Sequence, residues 1–189
     1  MSGLDTTRAR AIPGWMSPIE LLWLAAEAAR CTTIVEVGCW QGRSTRALAD
    51  HVRAGGVVHA IDRWAGPVYT EAGAEHPFRS DVWREFADHL ADHLIAGTVR
   101  PWVAPSAVAL PGLVELIGPV ADLVFLDGDH RYASVAADLA AARALVRPGG
   151  VLAGHDYGNR TWPGVTAAVD AAAGDRHVGH VESIWWWRC

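Results

Sequence analysis

The chain has 189 residues, of which 51% are hydrophobic and 20% charged, with a formal net charge of −5. That composition is globular and fits one domain over residues 1–189; it excludes a disordered chain. The acidic balance argues against a general nucleic-acid binder, which needs basic surface to displace phosphate counterions.

A membrane span needs ~20 apolar residues. The best candidate, Leu21 to Ala29, is shorter and carries Glu27, so no membrane contact is expected. Asp5, Arg8 and Arg10 stand near the start without an apolar core and cleavage site, which argues against a secretory signal. Cys31, Cys39 and Cys189 are odd in number and scattered, giving neither a disulfide framework nor a C-x-x-C pair. A reduced, cytoplasmic protein is the simple expectation.

In chain order, Pro18 to Ala29 reads as a helix, with Ser17 as N-cap, Pro18 at its first position and Glu20 closing a capping box. Thr33 to Val37 is a β-branched strand. Ser44 to Val52 is a helix ended by Gly55-Gly56, and Val57 to Ile61 is the second strand. Gly66 to Ser80 lacks periodicity and is a candidate lid. Asp81 to Ile95 repeats an apolar residue every four positions (Val82, Phe86, Leu90, Leu94), which is helical, and Gly97 closes it. Val99 to Val103 is a weaker strand, demoted toward an edge by Pro101. Leu123 to Leu126 is apolar throughout, as for a strand buried on both faces. Ala133 to Leu145 is a helix stopped by Pro148-Gly149-Gly150; Val151 to Ala153 is a strand, Val165 to Ala172 a helix, and Val178 to Trp187 strand-like.

Strands alternating with helices imply an α/β fold: a doubly wound, mostly parallel sheet with a reversed strand near the C-terminus. Ligands of such sheets bind beyond the carboxyl ends of the strands. The polar residues of interest sit there: Glu36–Gly42, Asp62, Asp127–His130 and His155–Asp156.

Glu36-x-Gly38-x-x-x-Gly42 lies where a dinucleotide fingerprint would start with glycine. Its carboxylate would repel a pyrophosphate and could accept from a cationic ligand; an ordinary glycine turn with an incidental acid is the plain alternative. Asp62, about 20 residues past the glycine loop, is placed to accept both ribose hydroxyls, or serves as a cap. Trp64 could cover an adenine face or simply pack.

Glu36 to Thr45, Ala60 to Trp64, Phe125 to Tyr132, Arg147 to Val151 and Gly154 to Tyr157 together resemble class I S-adenosylmethionine-dependent methyltransferases. The closer match is the small-molecule O-methyltransferases of the macrocin and rhamnosyl type, with the catechol type more distant. The resemblance runs from about Trp15 onward and rests on the motifs in order.

It implies that the glycine loop, with Glu36, Gly38, Gly42 and Ser44, wraps the methionine part of the cofactor. Asp62 would take the ribose. Ser106 would lie near the adenine, a role on which the residues themselves are silent. It further implies a divalent metal on Asp127, His155 and Asp156; carboxylates suit Mg²⁺, and an imidazole admits Mn²⁺, Fe²⁺ or Zn²⁺. His155 departs from the catechol type, which has an acid there. Without metal, Asp127 would touch the cofactor while His155 and Asp156 bond the substrate. His130 stands where that type places its basic lysine, and an imidazole titrates in the right range to take a hydroxyl proton. His155 is the second candidate base, and Asp129 a neighbour or a solvated acid.

The expected reaction is methyl transfer from S-adenosylmethionine to a hydroxyl of a small molecule. Absence of an Asn-Pro-Pro-Tyr sequence weighs against nucleobase methylation. A nicotinamide-dependent oxidoreductase, a metal-dependent hydrolase and a non-catalytic cofactor-binding module remain as rivals. His89 and His93, four apart, read as a solvated helix face. Trp185-Trp186-Trp187 is core packing, a stacking platform or a homo-oligomer contact; in a strand, Trp185 and Trp187 share a face.

Overall fold

The computed structural model describes residues 3–64 and 81–189. The expected lid, Gly66 to Ser80, lies outside the described residues. The elements are α1 (Thr7–Ala11), α2 (Pro18–Ala28), β1 (Thr33–Val37), α3 (Arg43–Ala49), β2 (Val57–Asp62), α4 (Val82–His89), α5 (Ala91–Ala96) and β3 (Val99–Val103). They continue with α6 (Ser106–Ile117), β4 (Ala121–Leu126), α7 (Tyr132–Ala142), β5 (Val146–Gly154), α8 (Pro163–Ala173), β6 (Gly179–Val181) and β7 (Ile184–Arg188).

The strands form one sheet in the order β3-β2-β1-β4-β5-β7-β6. β1 to β5 pair in parallel, and β7 runs antiparallel to both β5 and β6. The order reverses at β1 and β4, so a crevice opens above their carboxyl ends, where Gly38 and Asp127 follow.

Strand alternation divides the core into two layers. Ile34, Val58, Ala60, Leu123 and Phe125 pack toward Leu21, Leu24, Leu48 and Phe86 of α2, α3 and α4. Val35, Val37, Ile61, Val124 and Leu126 pack toward Leu110, Leu113, Leu139 and Val169 of α6, α7 and α8. The period of two puts Glu36 on the Ile34 side, beneath α3.

The capping box of α2 forms as read: Ser17 Oγ accepts from the Glu20 N–H at 3.2 Å, and Glu20 Oε2 accepts from the Ser17 N–H at 2.8 Å. Trp185 and Trp187 share one face, buried and stacked at 5.0 Å, while Trp186 meets Trp23 on the other.

Several elements differ from the sequence reading. The single helix over Asp81 to Ile95 is two, broken at Leu90. α6 was not foreseen, because Pro111 and Gly112 punctuate an apolar run that is nonetheless helical. β5 begins at Val146 and includes Pro148-Gly149-Gly150. The chain end supports it there: Gly149 N–H donates to Cys189 O at 2.7 Å and Cys189 N–H to Gly150 O at 3.0 Å. The C-terminal tail is a hairpin, β6 and β7, turning at Glu182-Ser183. His89 and His93 are engaged by α3 and the turn before it: His89 Nδ1 lies 2.9 Å from Gln41 O and His93 Nε2 2.7 Å from Asp50 Oδ1.

Candidate active site

A cavity of about 790 Å³ occupies the crevice. Gly38, Cys39, Trp40, Asp62, Trp64 and Ser106 line one part, and Asp127, His130, His155 and Asp156 another. Ser44 at the start of α3 also lines it, and Pro13 to Met16 form a further wall. Residues from five strand ends thus meet around one space.

The turn after β1 is built by its glycines and by Asp62. Gly38 has φ +84°, and a Cβ there would stand 2.0 Å from Asp127 O, so the bare backbone lets the turn touch the end of β4. Gly42 has φ +92°, and its Cβ would meet Leu90 Cδ2 at 2.3 Å. Gly42 therefore serves packing against α4 and α5 and is not part of the cavity wall. Asp62 Oδ2 accepts from the Cys39 and Trp40 N–H groups at 2.8 and 2.9 Å, and Oδ1 from Trp64 N–H at 2.9 Å. A carboxylate offers about four acceptor positions, so roughly one remains. The expectation that it takes both ribose hydroxyls overlooked this use of Asp62 in shaping the loop.

Glu36 does not face the cavity. It is fully buried, with Oε2 accepting from Thr45 Oγ1 at 2.6 Å and Oε1 without a partner. Burial pushes its pKa up to about 7 against the nearby polar groups of Ser44, Thr45 and Cys39. Trp64 packs against Trp83 and Phe86 at ring separations of 4.9 and 4.6 Å, and its Nε1–H donates to Trp40 O at 2.9 Å. Trp40, Trp64 and Asp156 all hold left-handed φ (47°, 43°, 64°), so non-glycine backbone strain gathers at the cavity.

At the other end, His130 Nε2 lies 2.9 Å from Asp156 Oδ2 and 4.0 Å from Asp127 Oδ1. Its ring stacks on Trp162 at 4.6 Å. Burial opposes the charged imidazole, but the hydrogen bond to Asp156 and the charges of Asp127, Asp156 and Asp129 outweigh it, raising the His130 pKa. Asp156 is held by Asn159 Nδ2 at 2.7 Å, and against burial its contacts with His130 and His155 depress its pKa strongly. Asp129 is not simply solvated; it receives the Arg131 guanidinium and the Ser134 hydroxyl.

His155 stands behind these groups, 8% exposed. Its Nδ1 is 3.6 Å from Asp127 Oδ1 and 3.4 Å from Asp156 Oδ2, and its Nε2 is 3.1 Å from Glu20 Oε1. Among the described residues, the donors gathered within 4.8 Å of one another come from Asp127, His130 and Asp156. The sequence reading had His155 in place of His130. Two carboxylates and an imidazole are a donor set that suits a divalent cation.

Sequence reasoning missed Glu20, Asn159, Trp162, Arg43 and Asp138. Glu20 was legible only as a cap. Arg43 holds the N-terminal wall through the carbonyls of Met16, Arg10 and Ile12 at 2.6–3.0 Å. Asp138 of α7 is buried at the cavity edge; burial pushes its pKa to about 6, with the Ser106 hydroxyl opposing.

This sheet order, with a reversed β7 and a cavity at the β1–β4 switch, defines a class I methyltransferase fold. The chain belongs to that class: residues 35–157 match the family described as a methyltransferase domain. Solved structures similar to it include an O-methyltransferase from Bacillus cereus in complex with SAH (TM-score 0.66, 18% identity, covering 97% of this chain and 87% of that one). The calicheamicin methyltransferase CalS11 gives TM-score 0.69 at 16% identity, covering 89% and 76%. A putative rRNA-methylase from Clostridium thermocellum gives 0.63 at 15%, covering 93% and 100%. No curated protein matches the chain. Family membership decides against the hydrolase and oxidoreductase rivals. Among the described residues, no helix is long and apolar enough to cross a membrane.

Proposed function

We propose that the protein transfers a methyl group from S-adenosylmethionine to a hydroxyl of a small molecule. The observation that carries this reading is that one cavity joins the Gly38–Asp62 wall to the Asp127–His130–Asp156 cluster. O-methyltransferases among the similar structures point the same way. When bound, the cofactor supplies an electrophilic methyl on a cationic sulfonium, and a divalent cation lowers the pKa of a hydroxyl.

The chain's own residues account for the rest. Gly38, Ser44, Asp62 and Ser106 line the part of the cavity suited to the nucleoside and its amino-acid tail. His130 is the base. Its Nε2–H donates to Asp156, leaving the lone pair on Nδ1 to take the hydroxyl proton. Trp162 keeps the ring in plane, and Asn159 keeps Asp156 in place. With His130 as base, a cation would rest on Asp127 and Asp156, with His155 Nδ1 as third donor. If His130 itself binds the cation, its role as base is lost.

The test is calorimetry with S-adenosylmethionine, SAH and NAD, followed by transfer of labelled methyl to a panel of sugars, phenols and amines. Binding of the first two and labelling of hydroxyl acceptors are expected. NAD binding alone, or labelling of amines alone, would refute the reading. Manganese binding to His130→Ala and His155→Ala separates the two donor sets, since loss of the ligating histidine weakens it more than loss of the other.

A further inference from the structure

Glu20 has a second task beyond its helix cap. Only Oε2 serves the cap. Oε1 accepts from three donors: the Ser183 hydroxyl at 2.6 Å, the Ser183 N–H at 3.1 Å and His155 Nε2 at 3.1 Å. The Ser183 oxygen is itself 2.9 Å from Nε2. Glu20 is 3% exposed, and a carboxylate that deep persists only with partners. Both of its oxygens accept from backbone N–H groups, an arrangement that favours the ionised carboxylate.

We propose that Glu20, with Ser183, is a positioning residue for the active site: it fixes the His155 ring with Nε2–H turned inward and Nδ1 aimed between Asp127 and Asp156. The geometry stands alone; its purpose rests on the methyl-transfer reading. An ionised carboxylate only accepts, so the nitrogen facing Oε1 carries the proton. Flipping the ring would set a carbon against Oε1 and leave that oxygen one donor short. Nδ1 is thereby committed to the cavity side, 3.6 and 3.4 Å from the two carboxylates, to which by the same argument it donates a proton until a cation displaces it. A carboxylate behind a histidine in this way sets the tautomer and direction of the nitrogen in front. Three distant parts of the chain meet to do this: α2, the end of β5 and the turn between β6 and β7.

The variant Glu20→Gln isolates the task, because a capping box accepts glutamine as well as glutamate. With its oxygen on the Ser17 N–H, the new amide would point a donor at Nε2, where the protein now has an acceptor. Histidine-labelled ¹⁵N NMR reads the outcome directly. The wild type should show a slowly exchanging ring N–H at Nε2, absent in His155→Gln and present with or without Mg²⁺. Glu20→Gln should lose it and bind Mn²⁺ about 10- to 100-fold more weakly, with SAH affinity unchanged. Ser17→Ala, which removes the cap hydroxyl and its bond to Glu182 beside Ser183 but leaves the Glu20 carboxylate in place, should lower the melting temperature and keep the resonance. Ser183→Ala should speed exchange of the same proton.

Retention of that resonance in Glu20→Gln, or unaltered Mn²⁺ affinity, would overturn the proposal. A wild type that ignores SAH would refute methyl transfer while leaving the resonance to decide this point. A wild type that ignores Mn²⁺ would remove the cation from the reading, and the resonance alone would then decide.

Discussion

His130 Nε2 stands 2.9 Å from Asp156 Oδ2, at the junction of the β4 and β5 ends. Two short loops that the sequence separates widely are joined by that contact. It commits Nε2 to the carboxylate, so that under the proposed function Nδ1 is the nitrogen that accepts the proton. His130→Ala should therefore slow methyl transfer by about 10²- to 10⁴-fold with SAH affinity intact. Single-turnover rates with labelled cofactor would check this, and full activity would remove His130 from the mechanism.

The same contact governs pH dependence. The His130 pKa is raised above its ordinary value, so the ring is charged at low pH and becomes a competent base only as pH climbs through that raised value. Asp156→Asn should move the NMR titration of His130 to lower pH. For stability the sign is that of a raised histidine. The Asp156 contact stabilises the fold fully below the unfolded pKa, and that gain is lost as pH rises through the folded one.

Asp62 orders the cavity wall through three backbone N–H groups. Asp62→Ala should weaken SAH binding by about 10- to 100-fold, since each hydrogen bond to a charged group is worth about 1.5–3 kcal/mol. Isothermal calorimetry reads this, and unchanged affinity would exclude Asp62 from the cofactor site.

Gly38→Ala should be among the most damaging single changes. The added Cβ would stand 2.0 Å from Asp127 O, with backbone on both sides of the clash and φ at +84°. A loss of about 3 kcal/mol or more is expected in urea unfolding.

Glu36 predicts a pH-dependent stability. Its folded pKa, about 7, lies above the usual carboxylate value because burial disfavours the charge. The folded state is thus most favoured below the unfolded pKa and loses stability as pH rises from there to about 7. Relative to Glu36→Gln, the wild type should lose on the order of 3 kcal/mol across that window. Unfolding free energies that run parallel at all pH values would contradict the buried, orphaned placement of Oε1.

The local devices were legible because they are local. The Ser17–Glu20 capping box, the β-branched β1 and the apolar β4 follow from propensity and pattern within a few residues. The order of acids and glycines at strand ends also located the cavity, because a parallel sheet brings all those ends to one edge. Pro111 and Pro148 misled, since helix α6 and strand β5 are supported by packing and by the returning chain end, which propensity does not see.

Which way each side chain points was settled only by the tertiary structure. Strand alternation sends Glu36 under α3 to Thr45 and away from the cavity. Gly42 faces Leu90, and Asp62 spends most of its acceptor capacity on the loop. Nor does any spacing link residue 20 to residues 155 and 183. A helix cap, a strand end and a hairpin turn become one hydrogen-bonded group only when the sheet closes with β7 beside β5, for it is burial together that forces the Glu20 carboxylate, the His155 imidazole and the Ser183 hydroxyl to satisfy one another.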